Sequence, residues 1–191
     1  MTEWIAEASP RFKARIAGVF WLMTFLAGTL AMLTSGQLRV AANLIATASY
    51  LAATLLVYGL LKPVNRSLSL LAAFFGLVGL AIGALSGLFH LAQASSIHFV
   101  FFGLQCSLVG YLILRSIFLP RFVGALMALG GLGWLAYAFA RLLSPPTGNH
   151  LSPYFKALGI FGEASLTLSL LVMGVNVQRW KEQASAARQW R

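Results

Sequence analysis

Apolar residues gather in six long runs, separated by short polar or turn-forming breaks. The runs are Ile16–Thr34, Val40–Leu61, Leu68–Leu91, Ile97–Leu114, Pro120–Leu143 and Tyr154–Val177. Roughly 20 apolar residues cover the hydrocarbon core of a bilayer as a helix. Backbone amides and carbonyls in lipid must pair within the segment, so runs of this length are predicted as helices. The breaks are Ser35-Gly36-Gln37, Lys62 to Arg66, Gln93-Ala94-Ser95-Ser96, Arg115 to Arg121 and Ser144 to Asn149. Proline lacks an N–H and glycine costs backbone entropy, which is why they punctuate helices. The first run has the basic flank of a signal peptide, but it is longer than a usual signal core and Ser35 to Arg39 makes a poor cleavage site. It is read as a retained helix.

Composition agrees with that pattern. Of 191 residues, 59% are hydrophobic and 9% charged, and mean hydropathy is +0.82. Soluble domains carry about 25% charged residues, and disordered chains are far less apolar than this. The expected fold is therefore all-α, an integral membrane bundle of six transmembrane helices. Residues 16–177 form its single membrane domain, between a basic segment over 1–15 and a basic tail over 178–191. The formal charge of +10 first suggests nucleic acid, but its distribution points elsewhere. Eleven of the 14 Lys and Arg residues fall before the first run, after the sixth, or in the second and fourth breaks; Arg39, Arg141 and Lys156 fall on the other side. The positive-inside rule then places both termini in the cytoplasm, and the bilayer, not nucleic acid, is the expected partner. Trp180 and Trp190 in the tail suit the headgroup region.

Three helix faces stand out. In the third run Gly76, Gly79, Gly83 and Gly87 share a face with Ser86 and His90. Small residues let backbones approach where lipid offers no hydrophobic drive, so the plain reading is a packing seam. The fourth run has a second small face, Gly103, Cys106, Ser107 and Gly110, in which Cys106 is a packing residue. As the chain's one cysteine, Cys106 has no intramolecular disulfide partner. The second run carries a polar stripe, Asn43, Thr47, Tyr50, Thr54 and Tyr58, which should turn away from lipid.

Glu163 is the one acid inside a span. An ionisable residue at such depth is a functional hypothesis by default. The plain reading is a structural carboxyl, hydrogen-bonded or paired with Arg39, Arg141 or Lys156; the sharper one is a role in handling substrate or protons. Topology gathers His90, His98, Arg39, Asn43, Arg141 and Lys156 near the outer leaflet, with Gln105 and Glu163 roughly 10–13 Å deeper at ~1.5 Å per residue. These residues, with Tyr50, are the candidate ligand-binding set; no metal ligand is assigned.

Specific chemistries find little support. A haem or metal held by His90 and His98 is an alternative without a ligand motif behind it, so no cofactor is predicted. The chain has no G-x-S-x-G and no aspartate, and it has no phosphate-binding loop.

The run Phe101 to Cys106, Gly110-Tyr111-Leu112, Arg115-Ser116, Phe118-Leu119-Pro120-Arg121, Gly131-Leu132-Gly133-Trp134 and Gly162-Glu163, with Ala14 to Gly18 near the start, resembles the bacterial membrane family called domain of unknown function 4386. The resemblance implies a multi-pass protein of the bacterial inner (cytoplasmic) membrane and implies no activity. The reading drawn is a six-span protein with a polar pocket in the outer leaflet that binds a small molecule or lipid. Two alternatives stay open: a channel or proton-coupled transporter using Glu163, and an intramembrane enzyme using Glu163 with His90 or His98. Six helices would also suit half of a larger transport unit, so a homo-oligomer is a natural expectation.

Overall fold

The computed structural model describes residues 9–89 and 92–189, and every regular element among them is helical. Helix α1 spans Pro10–Leu33, α2 Gly36–Leu61, α3 Arg66–Phe89, α4 Ala92–Arg115, α5 Arg121–Leu143 and α6 Pro145–Leu168. A π-helical turn, Ser169–Met173, continues α6, and α7 follows over Val177–Gln189. Six of these helices are long and apolar enough to cross a membrane, as the hydropathy pattern requires.

All but the fifth of the six spanning helices begin earlier than their apolar runs, because polar first turns are helical too. Ser9 caps α1, its Oγ accepting from the Phe12 amide at 3.2 Å, and Pro10 sits where its missing N–H costs nothing. The same effect corrects the fifth predicted break. Residues Pro145 to Asn149 are not a loop but the opening turn of α6, with proline in its first positions, and Ser144 alone joins α5 to α6. Gln93 to Ser96 likewise lie inside α4. The sixth span ends at Met173 rather than Val177. There the chain turns at Gly174, whose φ of +66° suits glycine.

The helices pack largely in chain order. Broad interfaces join α1 to α2, α3 to α4, α4 to α5 and α5 to α6, while α6 and its π turn return to α1 and close the bundle. Glycine makes the close seams. A Cβ on Gly110 would lie 2.7 Å from the Cα of Ala128, and one on Gly131 would lie 2.5 Å from the amide nitrogen of Ser107, so α4 and α5 touch backbone to backbone. The glycine face of α3 packs on α4, with Gly79 against Phe101 and Gly83 against the His98 ring. Gly87 of that face lies where no side chain is described, and His90 lies outside the described residues.

The tail is helical rather than extended. Trp180 of α7 donates its Nε1–H to the Leu60 carbonyl at 2.9 Å, pinning the helix across the end of α2.

Candidate functional site

Each of the six spans contributes to one polar layer in the middle of the bundle. On α6, Glu163 is buried at 4% exposure. Its Oε1 accepts from Trp134 Nε1 of α5 at 2.8 Å, and its Oε2 accepts from Trp21 Nε1 of α1 at 3.3 Å. Gly159, one turn before Glu163, makes room for the donor: a Cβ there would lie 2.9 Å from Cδ2 of the Trp134 ring. Thr167, one turn after, donates to the Glu163 carbonyl at 2.8 Å and stays out of the carboxyl's way.

A second group adjoins the first. Tyr50 of α2 donates its hydroxyl to Oε1 of Gln105 on α4, and Gln105 Nε2 donates to Thr54 Oγ1 at 3.3 Å. Gly76 of α3 leaves space for the Gln105 amide, whose Cδ would lie 2.6 Å from a Cβ at that position. Aromatic contacts join the groups. Trp21 meets Tyr50 edge-on at 6.0 Å between centroids, Phe102 lies 5.5 Å from Tyr50, and Trp134 lies 5.5 Å from Phe102.

The layer sits about midway along the helices. Trp21, Tyr50, Gly76, Gln105, Trp134 and Glu163 each stand ten to thirteen residues from the end bearing the 62–65 and 116–120 loops, which is roughly 15–20 Å at ~1.5 Å per residue.

Of the residues singled out in the sequence, the structure brings Glu163, Gln105 and Tyr50 together. His98 stands two turns from Gln105. Its Nδ1 is 2.7 Å from the Gly79 carbonyl, and its ring stacks on Phe102 at 5.8 Å. Lys156 places Nζ 4.8 Å from the Tyr137 ring centroid, and Arg141 donates to Asn149 Oδ1. Arg39 and Asn43 are exposed at the far end of the α1–α2 hairpin, while Thr47 and Tyr58 are half-buried and Tyr50 and Thr54 fully buried, so the polar stripe of α2 turns inward from Thr47 onward. Of the two arrangements open for the Glu163 carboxyl, this geometry has the hydrogen-bonded one and not the pairing with Arg39, Arg141 or Lys156. Lys156 is seven residues, roughly 10 Å, away along α6, and two indoles take the carboxyl's oxygens. Among the described residues no Lys or Arg lies within ion-pair distance of it. Nor do three or more His, Cys, Asp or Glu side chains of those residues gather as a metal site would need.

Trp21 and Trp134 complete the polar layer as the donors to Glu163 and are not among the candidate residues singled out in the sequence. A buried tryptophan needs an acceptor for its N–H. Two mid-span tryptophans and one mid-span acid form a donor–acceptor set visible in the sequence, although their pairing is not.

Length, span count and an interior ionisable layer define a six-span, multi-pass helical membrane protein. Its residues 91–174 match the family described as Domain of unknown function (DUF4386), the family its sequence resembles. An "Uncharacterized protein" of the archaeon Archaeoglobus fulgidus is 29% identical over 126 residues, covering 62% of this chain and 72% of that one. No solved structure matches the chain.

Proposed function

We propose that the chain is a membrane carrier that binds a small solute at mid-depth and exchanges a proton at Glu163. One observation carries this reading. The carboxyl is enclosed at the centre of the bundle, and neutral indole donors from two other helices hold it in place of a resident cation. A carboxyl held this way keeps its charge free for a proton or a cationic solute. Carriers commonly place substrate and coupling-ion sites near the bilayer midplane. The aromatic surround of Trp21, Tyr50, Phe102 and Trp134 suits a cation or a hydrogen-bonding solute.

A binding role without transport is the second reading. It needs no path through the bundle, and the space between Gln105, Thr54 and Val109 amounts to only about 10 Å³, room for no more than one water, so a solute would enter only if the helices part. An enzymatic role for Glu163 with His98 has less support, because the contacts linking them pass through Phe102 and Trp134.

The test uses the two tryptophans that touch the carboxyl. In the full chain in lipid nanodiscs, tryptophan fluorescence and the infrared carboxyl band are followed across the accessible pH range. A shared transition that disappears in Glu163→Gln supports proton exchange. A carboxyl band that never changes while the protein stays folded overturns the carrier reading and leaves Glu163 a structural group. Proteoliposomes loaded with a pH-sensitive dye, with the membrane-impermeant cation tetramethylammonium as the probe solute and protein-free liposomes beside them, then separate carriage from simple binding.

A further inference from the structure

The end of the bundle bearing the 62–65 and 116–120 loops is partly covered by α7. Besides Trp180, Gln183 fastens it there, its Oε1 accepting from the Ile117 amide at 3.1 Å. Between the first turn of α7, residues 117–120 and the start of α1 lies a cavity of about 590 Å³. Arg11 and Arg179 stand in its wall with the polar side chains of Asn176 and Gln178. Of the acids among the described residues, Glu163 and Glu182, neither lines it.

The backbone holds both arginines there. The left-handed turn at Gly174 brings the chain against Arg11, and a Cβ on Gly174 would lie 3.0 Å from Arg11 Cγ. Arg179 is held at the 116–120 loop, with Nη1 3.5 Å from the Ile117 carbonyl. Asn176 satisfies two amides of the first turn of α7, its side chain taking Arg179 N at 3.1 Å and its carbonyl taking Trp180 N at 2.9 Å.

We propose that this cavity binds a phosphate group, with Arg11 and Arg179 as its guanidinium ligands. The planar fork of arginine matches phosphate oxygens, and two arginines line this one space with no carboxylate of the described residues beside them in its wall. The volume falls in the range of small-ligand sites. Phe12, Ile117, Phe122 and Met173 beside it are exposed and apolar, as acyl chains of a phospholipid would require. The same phosphate chemistry could arrive on a soluble ester.

The experiment uses the full chain in a non-ionic detergent and three probes: dihexanoyl phosphatidylglycerol, glycerol 3-phosphate, and dihexanoylglycerol, which has no phosphate. Binding is read by native mass spectrometry and calorimetry. At least one phosphate probe should bind, and dihexanoylglycerol should not. Losing one charged hydrogen-bonding group should weaken binding by about tenfold, so Arg11→Gln and Arg179→Gln should each show such a loss. Gln178→Glu, which adds a carboxylate to the wall without removing packing, should weaken binding too. Arg66→Gln, which alters a separate cavity at the same end, should change little. Binding of the lipid alone assigns the site to a membrane headgroup, and equal binding of glycerol 3-phosphate assigns it to a soluble ester. Failure of both phosphate probes, undiminished binding in the arginine variants, or an equal loss in Arg66→Gln would overturn the site.

Discussion

Replacing glycine by alanine should have opposite effects at two positions of this bundle, and the sign depends on what the new methyl group meets. At Gly110, a Cβ would lie 2.7 Å from both the Cα of Ala128 and the carbonyl oxygen of Gly124. Both obstacles are backbone, so no rotamer change relieves them. Ordinary carbon contact needs about 3.5–4.0 Å, so α4 and α5 must part by roughly an ångström along a seam that Gly103, Gly124 and Gly131 also share. Overpacking costs roughly 1–3 kcal/mol, and rigid atoms place Gly110→Ala near the top of that range. The better helix propensity of alanine returns about 1 kcal/mol. The net effect is a loss of about 2 kcal/mol. At Gly28 of α1, nothing stands within 4 Å of the new Cβ. Gly28→Ala should therefore gain about 1 kcal/mol from propensity alone. Unfolding in mixed micelles with rising dodecyl sulfate, followed by circular dichroism, would measure both variants against the parent chain. If Gly110→Ala proves at least as stable as the parent, the α4–α5 seam is not the close contact described, and a loss at Gly28→Ala would refute the open space there.

Gln105→Leu should destabilise by at most about 1–2 kcal/mol for each hydrogen bond it removes, because it strands the Tyr50 hydroxyl and leaves Thr54 without its donor; the same unfolding assay checks it. Trp180→Phe keeps the apolar ring but gives up the bond to the Leu60 carbonyl; proteolysis of α7 should accelerate while the spans stay intact. For topology, single cysteines in a Cys106→Ala background should label from opposite sides of the membrane. Lys62→Cys should react from the cytoplasm and His150→Cys from outside, both positions being exposed; the reverse pattern would overturn the orientation drawn from the basic residues.

The spans were readable from sequence because lipid leaves the backbone one way to satisfy its polar groups, so hydropathy alone locates them. The ends were less so. Pro145 and Pro146 look like breakers by composition, yet at the first positions of a helix their missing N–H costs nothing, and α6 starts there. The site was legible as single residues: a lone mid-span acid, a glutamine and a tyrosine are each costly in lipid and had to face inward. Their partners were not legible, because sequence periodicity fixes a residue's direction around its own helix but not which neighbouring helix it meets. Arg39 and Asn43 show the limit. They share the azimuth of Tyr50 on α2, yet both are exposed where Tyr50 is buried.

The bond between Trp21 and Glu163 joins residues 142 positions apart in the chain, and this has a consequence for biosynthesis. At roughly 5–20 residues per second, the indole of the first span is made about 7–30 s before its acceptor. Throughout that interval α1 holds a donor in the lipid-facing environment with no native acceptor yet synthesised. A chain stopped before the sixth span also lacks the acceptor for Trp134. Products truncated before the sixth span should therefore keep two tryptophan N–H groups without their native acceptor.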